Sequence, residues 1–485
     1  MNPLKRLAGQ TMIYGLGTIV PRVLNYLLLT PFFTYIFYKG EYGVFSELYA
    51  FVAVLLVVLT YGMETTYFRF AEAEKNKNRV FSTAFGSILI SSLIFVLLVF
   101  MFSGSISSLI QYASNPEYIL WIAGIVAVDA LVSIPFAKLR QENKAFKFAI
   151  IKFSSVAINI GLNAAFFYEK WSAPDPHSVQ ISIEYIFIAN FLSSAFTLLL
   201  LLPEIIKIKP SFSPILLLRM LKYALPLLVV GVAGIINEHG DKIILKYLIS
   251  DSENAMDQLG IYSANYRLAV LMTIFTQMFR YAAEPFFFSQ EKEKNSKKTY
   301  ADVMKYFTIF GLLIFLGVTL YIDVVKYFIG APFREGLDIV PLILLANLFL
   351  GIYFNLSIWY KLTNRTIYGA IIAIIGMVIT LGLNFVLVPE FGFRGAAWAT
   401  FFCYLTMMLI SFFWGKKFYK ITYDLRSLAI YFFLAISLYF VHRFLDLDSG
   451  KLSIAVATIF LGIFLIFVFY RENLRTVFRR KKVSK

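Results

Sequence analysis

The sequence predicts an all-α polytopic membrane protein of about 14 transmembrane helices, built as two parallel six-helix repeats plus two extra C-terminal helices. Three observations predict it. Hydrophobic residues make up 59% of the 485-residue chain and charged residues only 15%, with a mean hydropathy of +0.73; ordinary soluble domains lie far from these values. The apolar residues fall into about fourteen stretches, each near the ~20 residues a helix needs to cross a bilayer. The chain also nearly repeats itself. Asn143-Lys144, Ala149-Ile150-Ile151, Ile158 and Gly161-Leu162-Asn163 recur 221 positions on as Asn364-Arg365, Ala370-Ile371-Ile372, Ile379 and Gly382-Leu383-Asn384. Gly43-Val44-Phe45-Ser46 with Tyr49 recurs 217 positions on as Gly260-Ile261-Tyr262-Ser263 with Tyr266. Two similar bundles rocking about a central site is how alternating access is built, so the duplication points to transport.

The first span, centred near residue 22, has no small-residue cleavage site after a short apolar core, so it reads as a retained helix and not a signal peptide. The others centre near residues 53, 91, 128, 158, 191, 234, 271, 312, 348, 376, 405, 434 and 461. Their length and continuous hydrophobicity make them helices and not barrel strands. The 51 Phe and 30 Tyr suit lipid-facing surfaces and interfacial belts. Matching segments lie six helices apart, an even number, so both halves insert in the same orientation about an axis along the membrane normal. Residues 1–209 form the N-terminal six-helix lobe and 210–420 the C-terminal one. The stretch Pro203 to Pro214, with Pro210, Lys207 and Lys209, is the cytoplasmic join. Residues 421–485 hold helices 13 and 14, which have no counterpart in the repeat, and a basic cytoplasmic tail.

Basic residues set the orientation. With the amino terminus and every second loop in the cytoplasm, about three quarters of the 45 Lys and Arg fall on that side, which predicts cytoplasmic termini. The net charge of +16 therefore needs no nucleic-acid partner. The tail, with Arg479-Arg480-Lys481-Lys482, reads as an anchor on anionic membrane lipids. Lys292 to Lys298 reads as a solvated connector. No connection is long enough to fold as a domain. A Gly-x-x-x-x-Gly-Lys-Ser/Thr loop is absent, so the chain is not expected to hydrolyse ATP. One cysteine, Cys403, and three histidines exclude an internal disulfide and a cysteine-cluster metal site. No enzymatic activity, cofactor or metal is expected.

The remaining chemistry lies in charges inside the membrane, where an ionisable group is costly unless paired or wet. Arg22 follows Pro21 in the middle of the first span and reads as lining a cavity or as one half of an ion pair. The 217-residue offset carries Arg22 onto His239, in Asn237-Glu238-His239-Gly240-Asp241-Lys242. That cluster is expected at mid-membrane depth, with Gly240 marking a local break that lines water. Glu238, His239 and Asp241 are candidates for ion coupling or ion pairing, and Lys242 for the cavity. Arg267 sits two turns into span eight beside Asn265 and Tyr266. Lys152 lies nearer the cytoplasmic end of span five, where its stem can snorkel to the headgroups or its ammonium can join the cavity. Asp129 is a lone carboxylate in span four, for coupling or for a buried pair. Basic groups predominate, so the cavity favours an anionic cargo such as a phosphate or pyrophosphate head.

The chain resembles the polysaccharide flippases of the multidrug/oligosaccharidyl-lipid/polysaccharide exporter superfamily. The resemblance rests on Gly9-Gln10-Thr11 through Pro31, Glu41-Tyr42-Gly43, Ala224-Leu225-Pro226 and Asp241-Lys242. It continues through Leu259-Gly260-Ile261-Tyr262-Ser263-Ala264-Asn265-Tyr266-Arg267-Leu268-Ala269 and Gly392-Phe393-Arg394-Gly395-Ala396-Ala397-Trp398-Ala399-Thr400. It implies transfer of a lipid-linked oligosaccharide, usually on a polyprenyl pyrophosphate, from the inner to the outer leaflet of a bacterial plasma (inner) membrane for surface polysaccharide such as O-antigen. A polysaccharide polymerase is the implied partner. The two additional helices depart from the commonest twelve-helix layout and are similar to those of the lipid II flippases, where the added pair accommodates the lipid tail. A cation-coupled multidrug antiporter of the same fold is the further alternative, but it would want acidic groups to dominate the cavity. The short outer loops speak against a polytopic glycosyltransferase, and the Gly-x-x-x-Asp-Arg loop of major-facilitator carriers is missing.

Overall fold

The structure is a computed structural model that describes residues 3–291, 293–445 and 450–472. Among these, every regular element is helical. In chain order the helices are α1 (Pro3–Ile36), α2 (Lys39–Thr60), α3 (Met63–Ala73), α4 (Lys77–Leu109), α5 (Pro116–Gln141), α6 (Ala145–Phe166), α7 (Tyr168–Ser172), α8 (Glu184–Ile206), α9 (Pro214–Leu248) and α10 (Ser252–Leu268). They continue as α11 (Val270–Gln290), α12 (Ser296–Thr319), α13 (Ile322–Val325), α14 (Val340–Leu356), α15 (Ile358–Leu362), α16 (Ile367–Phe391), α17 (Phe393–Phe418), α18 (Leu425–Phe444) and α19 (Lys451–Arg471). Among the described residues, thirteen stretches are long and apolar enough to cross a membrane. The fourteenth expected span, centred near residue 271, is divided at Ala269 between α10 and α11. The protein is thus an all-α polytopic membrane protein of the predicted class. The basic tail with Arg479-Arg480-Lys481-Lys482 lies outside the described residues.

Helix ends follow from local chemistry. Asn76, Ser213 and Asp424 accept hydrogen bonds from the backbone N–H groups of Arg79, Leu216 and Ser427, satisfying donors that the first turn leaves open. Pro116 and Pro214 open α5 and α9, where a missing N–H costs nothing. The repeat is visible at this level. Asn143 (φ 57°) and Asn364 (φ 55°), 221 positions apart, both take the left-handed conformation. The N–H of Asn143 bonds to the carbonyl of Arg140 and that of Lys144 to Leu139; Asn364 bonds to Lys361 and Arg365 to Tyr360 in the same register. Asparagine tolerates this conformation better than other side chains, so the same residue closes the same helical turn in both halves.

Contacts divide the chain into two compact units, Met1–Ser263 with Met377–Ala396, and Ala264–Gly376 with Ala397–Lys485. In the first, α5 packs against α2, α4 and α8, α6 against α1 and α8, and α9 against α2 and α3. Val132, Phe136, Leu139, Phe148, Ile151 and Leu201 form one of its apolar clusters. Beside this cluster Glu204 draws three lysines: Lys147 at 2.6 Å, Lys138 at 3.2 Å and Lys144 at 3.5 Å. This ties the turn between α5 and α6 to the end of α8. The segment α2–α3 bends at Tyr61 and Gly62, both left-handed. A Cβ on Gly62 would also stand 3.0 Å from Leu227 Cβ, so the space there is tight as well.

The two repeat-related glycines Gly43 and Gly260 pack against one another. A Cβ on Gly43 would fall 2.2 Å from the Met256 carbonyl oxygen, and one on Gly260 would fall 2.0 Å from that of Lys39. Each would also lie 3.3 Å from the other glycine's nitrogen. Met256 is Lys39 advanced by 217 positions, so the contact is reciprocal, as two-fold-related surfaces require. Small residues are what allow helices in lipid to approach backbone to backbone.

In the second unit α12 packs against α11, α14, α18 and α19. Its apolar cluster joins Ala283, Phe287, Tyr300, Ile358 and Ile421. The two helices without a repeat counterpart, α18 and α19, are fastened here. Glu472 pairs with Lys305 at 2.5 Å and accepts from the Tyr431 hydroxyl at 2.5 Å, while Arg471 donates to Ser427 Oγ at 3.2 Å.

Candidate functional site

The structure brings three of the sequence candidates together in the first unit. Arg22 stands on α1, which runs through Pro21 and Pro31 without ending, and its side chain is exposed. Lys152 on α6 lies within electrostatic range of Arg22, Asp129, Glu64 and Arg140. Its ammonium sits over the Phe136 ring at 4.1 Å, so the chain end turns inward toward the α5–α6 core and not along the lipid face to the headgroups. A cation held on an aromatic face stays available to an anion. Asp129 on α5 accepts from Ser194 Oγ of α8 at 2.6 Å and faces the field of Lys152. Glu64 of α3 pairs with Arg140, whose guanidinium lies 4.7 Å from the centre of the Phe68 ring. The arrangement holds three cations, Arg22, Lys152 and Arg140, and two carboxylates, Asp129 and Glu64, each of which accepts a hydrogen bond. Its balance is basic, so it can hold an anion. No cluster among the described residues has the ligands for a metal ion.

The polar group on α9 departs from expectation at one point. The residues 237–242 lie inside a long apolar helix, but Gly240 does not break it. A helical glycine costs roughly 1 kcal/mol against alanine, too little to interrupt a helix fixed by packing on both sides. Asp241 is buried and accepts from the Tyr262 hydroxyl and, at 2.8 Å, from the Lys242 backbone N–H. His239 Nε2 lies 3.9 Å from Glu238 Oε1; Glu238 is exposed, and His239 and Lys242 are half-buried. Arg267 belongs to the second unit, half-buried in the last turn of α10, one residue before the helix ends. Its neighbour Asn265 donates to the Phe333 carbonyl at 2.7 Å.

Sequence reasoning does not single out the most deeply buried ion pair of the first unit. Glu47 on α2 is 0% exposed and meets Lys246 of α9 at 3.3 Å. Lys246 also donates to the Ile110 carbonyl at 2.8 Å and lies 3.9 Å from the centre of the Tyr112 ring. The Tyr112 hydroxyl donates to the same Glu47 oxygen. Burial, with Glu47 adding to it, pushes the Tyr112 phenol above its ordinary value, so it stays a donor. The other oxygen, Glu47 Oε1, is buried with no hydrogen-bond partner. A cavity of about 880 Å³ borders the group, lined among others by Gln111, Tyr112, Lys246, Asp251 and Asp257. The signal in the sequence is Glu47 itself, a lone carboxylate in an apolar run, of the same kind as Asp129.

Comparison with known proteins agrees with this architecture. The profile of a family described as polysaccharide biosynthesis protein matches residues 36–337. No curated protein sequence matches. A solved structure described as lipid II flippase MurJ, inward closed conformation, is similar with a TM-score of 0.73 at 18% identity, over 96% of this chain and 100% of that one. An inward-facing multidrug resistance MATE family transporter of the MOP superfamily is similar with a TM-score of 0.63 at 15% identity, over 84% of this chain and 94% of its own. A point mutant of the Vibrio cholerae MATE transporter VcmN has a TM-score of 0.57 at 12% identity, over 85% and 96%. At these identities the likeness is one of fold. The MurJ fold accounts for more of this chain than the MATE folds do.

Proposed function

The chain belongs to the polysaccharide biosynthesis protein family, and from that premise we propose that it is a flippase. It moves a polyprenyl-(pyro)phosphate-linked oligosaccharide from the inner to the outer leaflet of a bacterial plasma membrane, by alternating access of lobes 1–209 and 210–420, for surface polysaccharide assembly. Its termini are cytoplasmic, and a polysaccharide polymerase receives the product. It performs no bond-making chemistry of its own.

The observation that carries this reading is the exposed Arg22, which with Asp129 lies within electrostatic range of Lys152. A guanidinium offers forked donors to phosphate oxygens, and Lys152 adds a point charge beside it. Arg267 and Lys242 serve the same role from the other lobe. Asp129, Glu238, His239 and Asp241 couple or pair charges as the cargo passes. A second reading, lipid II as cargo, is favoured by the share of this chain that the MurJ fold covers and by the fastening of α18 and α19. A cation-coupled drug antiporter is disfavoured by the basic character of the Arg22 group.

The test is transport in proteoliposomes loaded with a fluorescent polyprenyl-pyrophosphate oligosaccharide, with proteins at matched abundance. Arg22→Ala and Arg267→Ala insert normally and lose flipping, at about 1–3 kcal/mol per lost charge-assisted bond, and Arg→Lys variants retain part of it. Wild-type rates in both alanine variants would rule out a phosphate grip by these residues.

A further inference from the structure

A second polar cavity lies in the first unit, at the corner between α1 and α2 and the segment after α6. It measures about 350 Å³ and is lined by Tyr38, Glu41, Lys170, His177, Gln180 and Ser182, among others. That volume is within the range of small-ligand sites. The basic-residue bias assigns this end of the helices to the outer face.

Two of its polar groups lack hydrogen-bond partners. Lys170 is 3% exposed, and its ammonium lies 4.9 Å from the centre of the Phe37 ring. Among the described residues it has no hydrogen bond and no carboxylate in ion-pair reach. His177 Nδ1 is also buried without a hydrogen-bond partner. Buried polar groups are normally satisfied, so the unpaired His177 nitrogen is an exception. Lys170 and His177 both line the cavity, so a ligand bound there meets both side chains.

The other lining residues define what the ligand is. The His177 ring stacks on Tyr38 with centroids 4.2 Å apart and planes at 27°, which presents an aromatic platform. Glu41 is held in place by accepting the Tyr38 backbone N–H at 2.9 Å. It supplies an acceptor for hydroxyl groups, and the Gln180 amide and Ser182 hydroxyl supply further donors and acceptors. Simple anions have no use for an aromatic face or for a carboxylate acceptor. A neutral sugar has no use for a buried ammonium.

We propose that this cavity is a binding subsite for an acidic saccharide, a uronate, on the outer face of the first lobe. The uronate carboxylate meets Lys170 and His177, its hydroxyls meet Glu41, and its apolar face rests on Tyr38. The assignment deepens the flippase reading and rests on it for the origin of the glycan, since such a subsite receives sugar that has already crossed.

Free ligands test it without transport. The purified full-length protein in nanodiscs is titrated with methyl glucuronide, methyl glucoside and inorganic phosphate, read by saturation-transfer NMR and calorimetry. Methyl glucuronide binds at least tenfold more tightly than the other two; Lys170→Met removes that preference and Lys170→Arg keeps part of it. His177→Phe, which preserves the stack, weakens the glucuronide alone. Equal binding of methyl glucoside, equal Lys170-dependent binding of phosphate, or no binding of glucuronide to the wild type each overturns the proposal. If Lys170→Met lowers thermal stability, the wild-type ligand ranking and His177→Phe still decide. Flipping without glucuronide binding sinks this subsite alone, and glucuronide binding without flipping sinks the flippase reading alone.

Discussion

Two carboxylates in the first unit, Glu204 and Glu47, are each almost fully buried, and each is neutralised by lysine in a different way. Glu204 shares three lysines whose side chains are 10%, 45% and 38% exposed, so its partners are redundant and mostly wet. Glu47 has one lysine, with side chains 4% and 0% exposed, and one of its oxygens goes unsatisfied. A redundant, solvated cluster spreads its cost, and losing one member leaves the acid still paired. A dry, single pair concentrates it, because removing one partner strands a buried charge. Glu204 is therefore a fastening of the fold, and Glu47 is a point at which the fold is vulnerable.

Breaking the dry pair tests this most strongly. Lys246→Met should destabilise the protein in mild detergent by about 3–5 kcal/mol, read from the unfolding midpoint, and Glu47→Gln in the same chain should recover most of the loss. Equal losses in the single and double variants would mean that packing, not charge, holds α2 to α9. At the Glu204 cluster Lys147→Ala should cost below about 1 kcal/mol, since that lysine is more than a third exposed and two others remain. A loss matching that of Lys246→Met would erase the distinction.

The smallest effect concerns pH. The hydrogen bond to Glu142 holds the Lys144 ammonium above its ordinary value of 10.5, with Glu204 adding to it and burial opposing. A raised pKa means that the stabilisation is complete below 10.5 and is lost as pH rises through the higher folded value. Alkaline melts should therefore fall more steeply in the wild type than in Glu142→Gln, with the two curves parallel near neutrality. Identical alkaline slopes would show that Lys144 is too solvated to matter.

The spans were legible because a lipid environment writes long apolar runs into contiguous sequence. The repeat was legible because it survives as short identities, down to the asparagines that close matching turns. Charge pairing was not legible. Glu47 carries a readable signal, but its partner stands 199 residues away and the pair is made by packing alone. Lys152 reads from its depth as a snorkelling residue until Phe136 and Asp129 are seen beside it. Gly240 reads as a breaker because propensity is local, whereas α9 is held by contacts along its length. Lys170 and His177 sit in a connection whose composition shows nothing, and only folding encloses them.

The reciprocal glycine contact has a consequence for ancestry. A half-length chain carrying this glycine would meet its own copy through it, as an ordinary two-fold dimer does. Every residue of such a dimer is present twice, so a charge added near the axis arrives in duplicate and faces its own image. Fusion of the halves lifts that constraint. The 217-residue offset carries Glu47 onto Ala264 and Lys246 back onto Leu29, so this ion pair exists once. A symmetric dimer of identical halves would have carried such a pair twice or not at all.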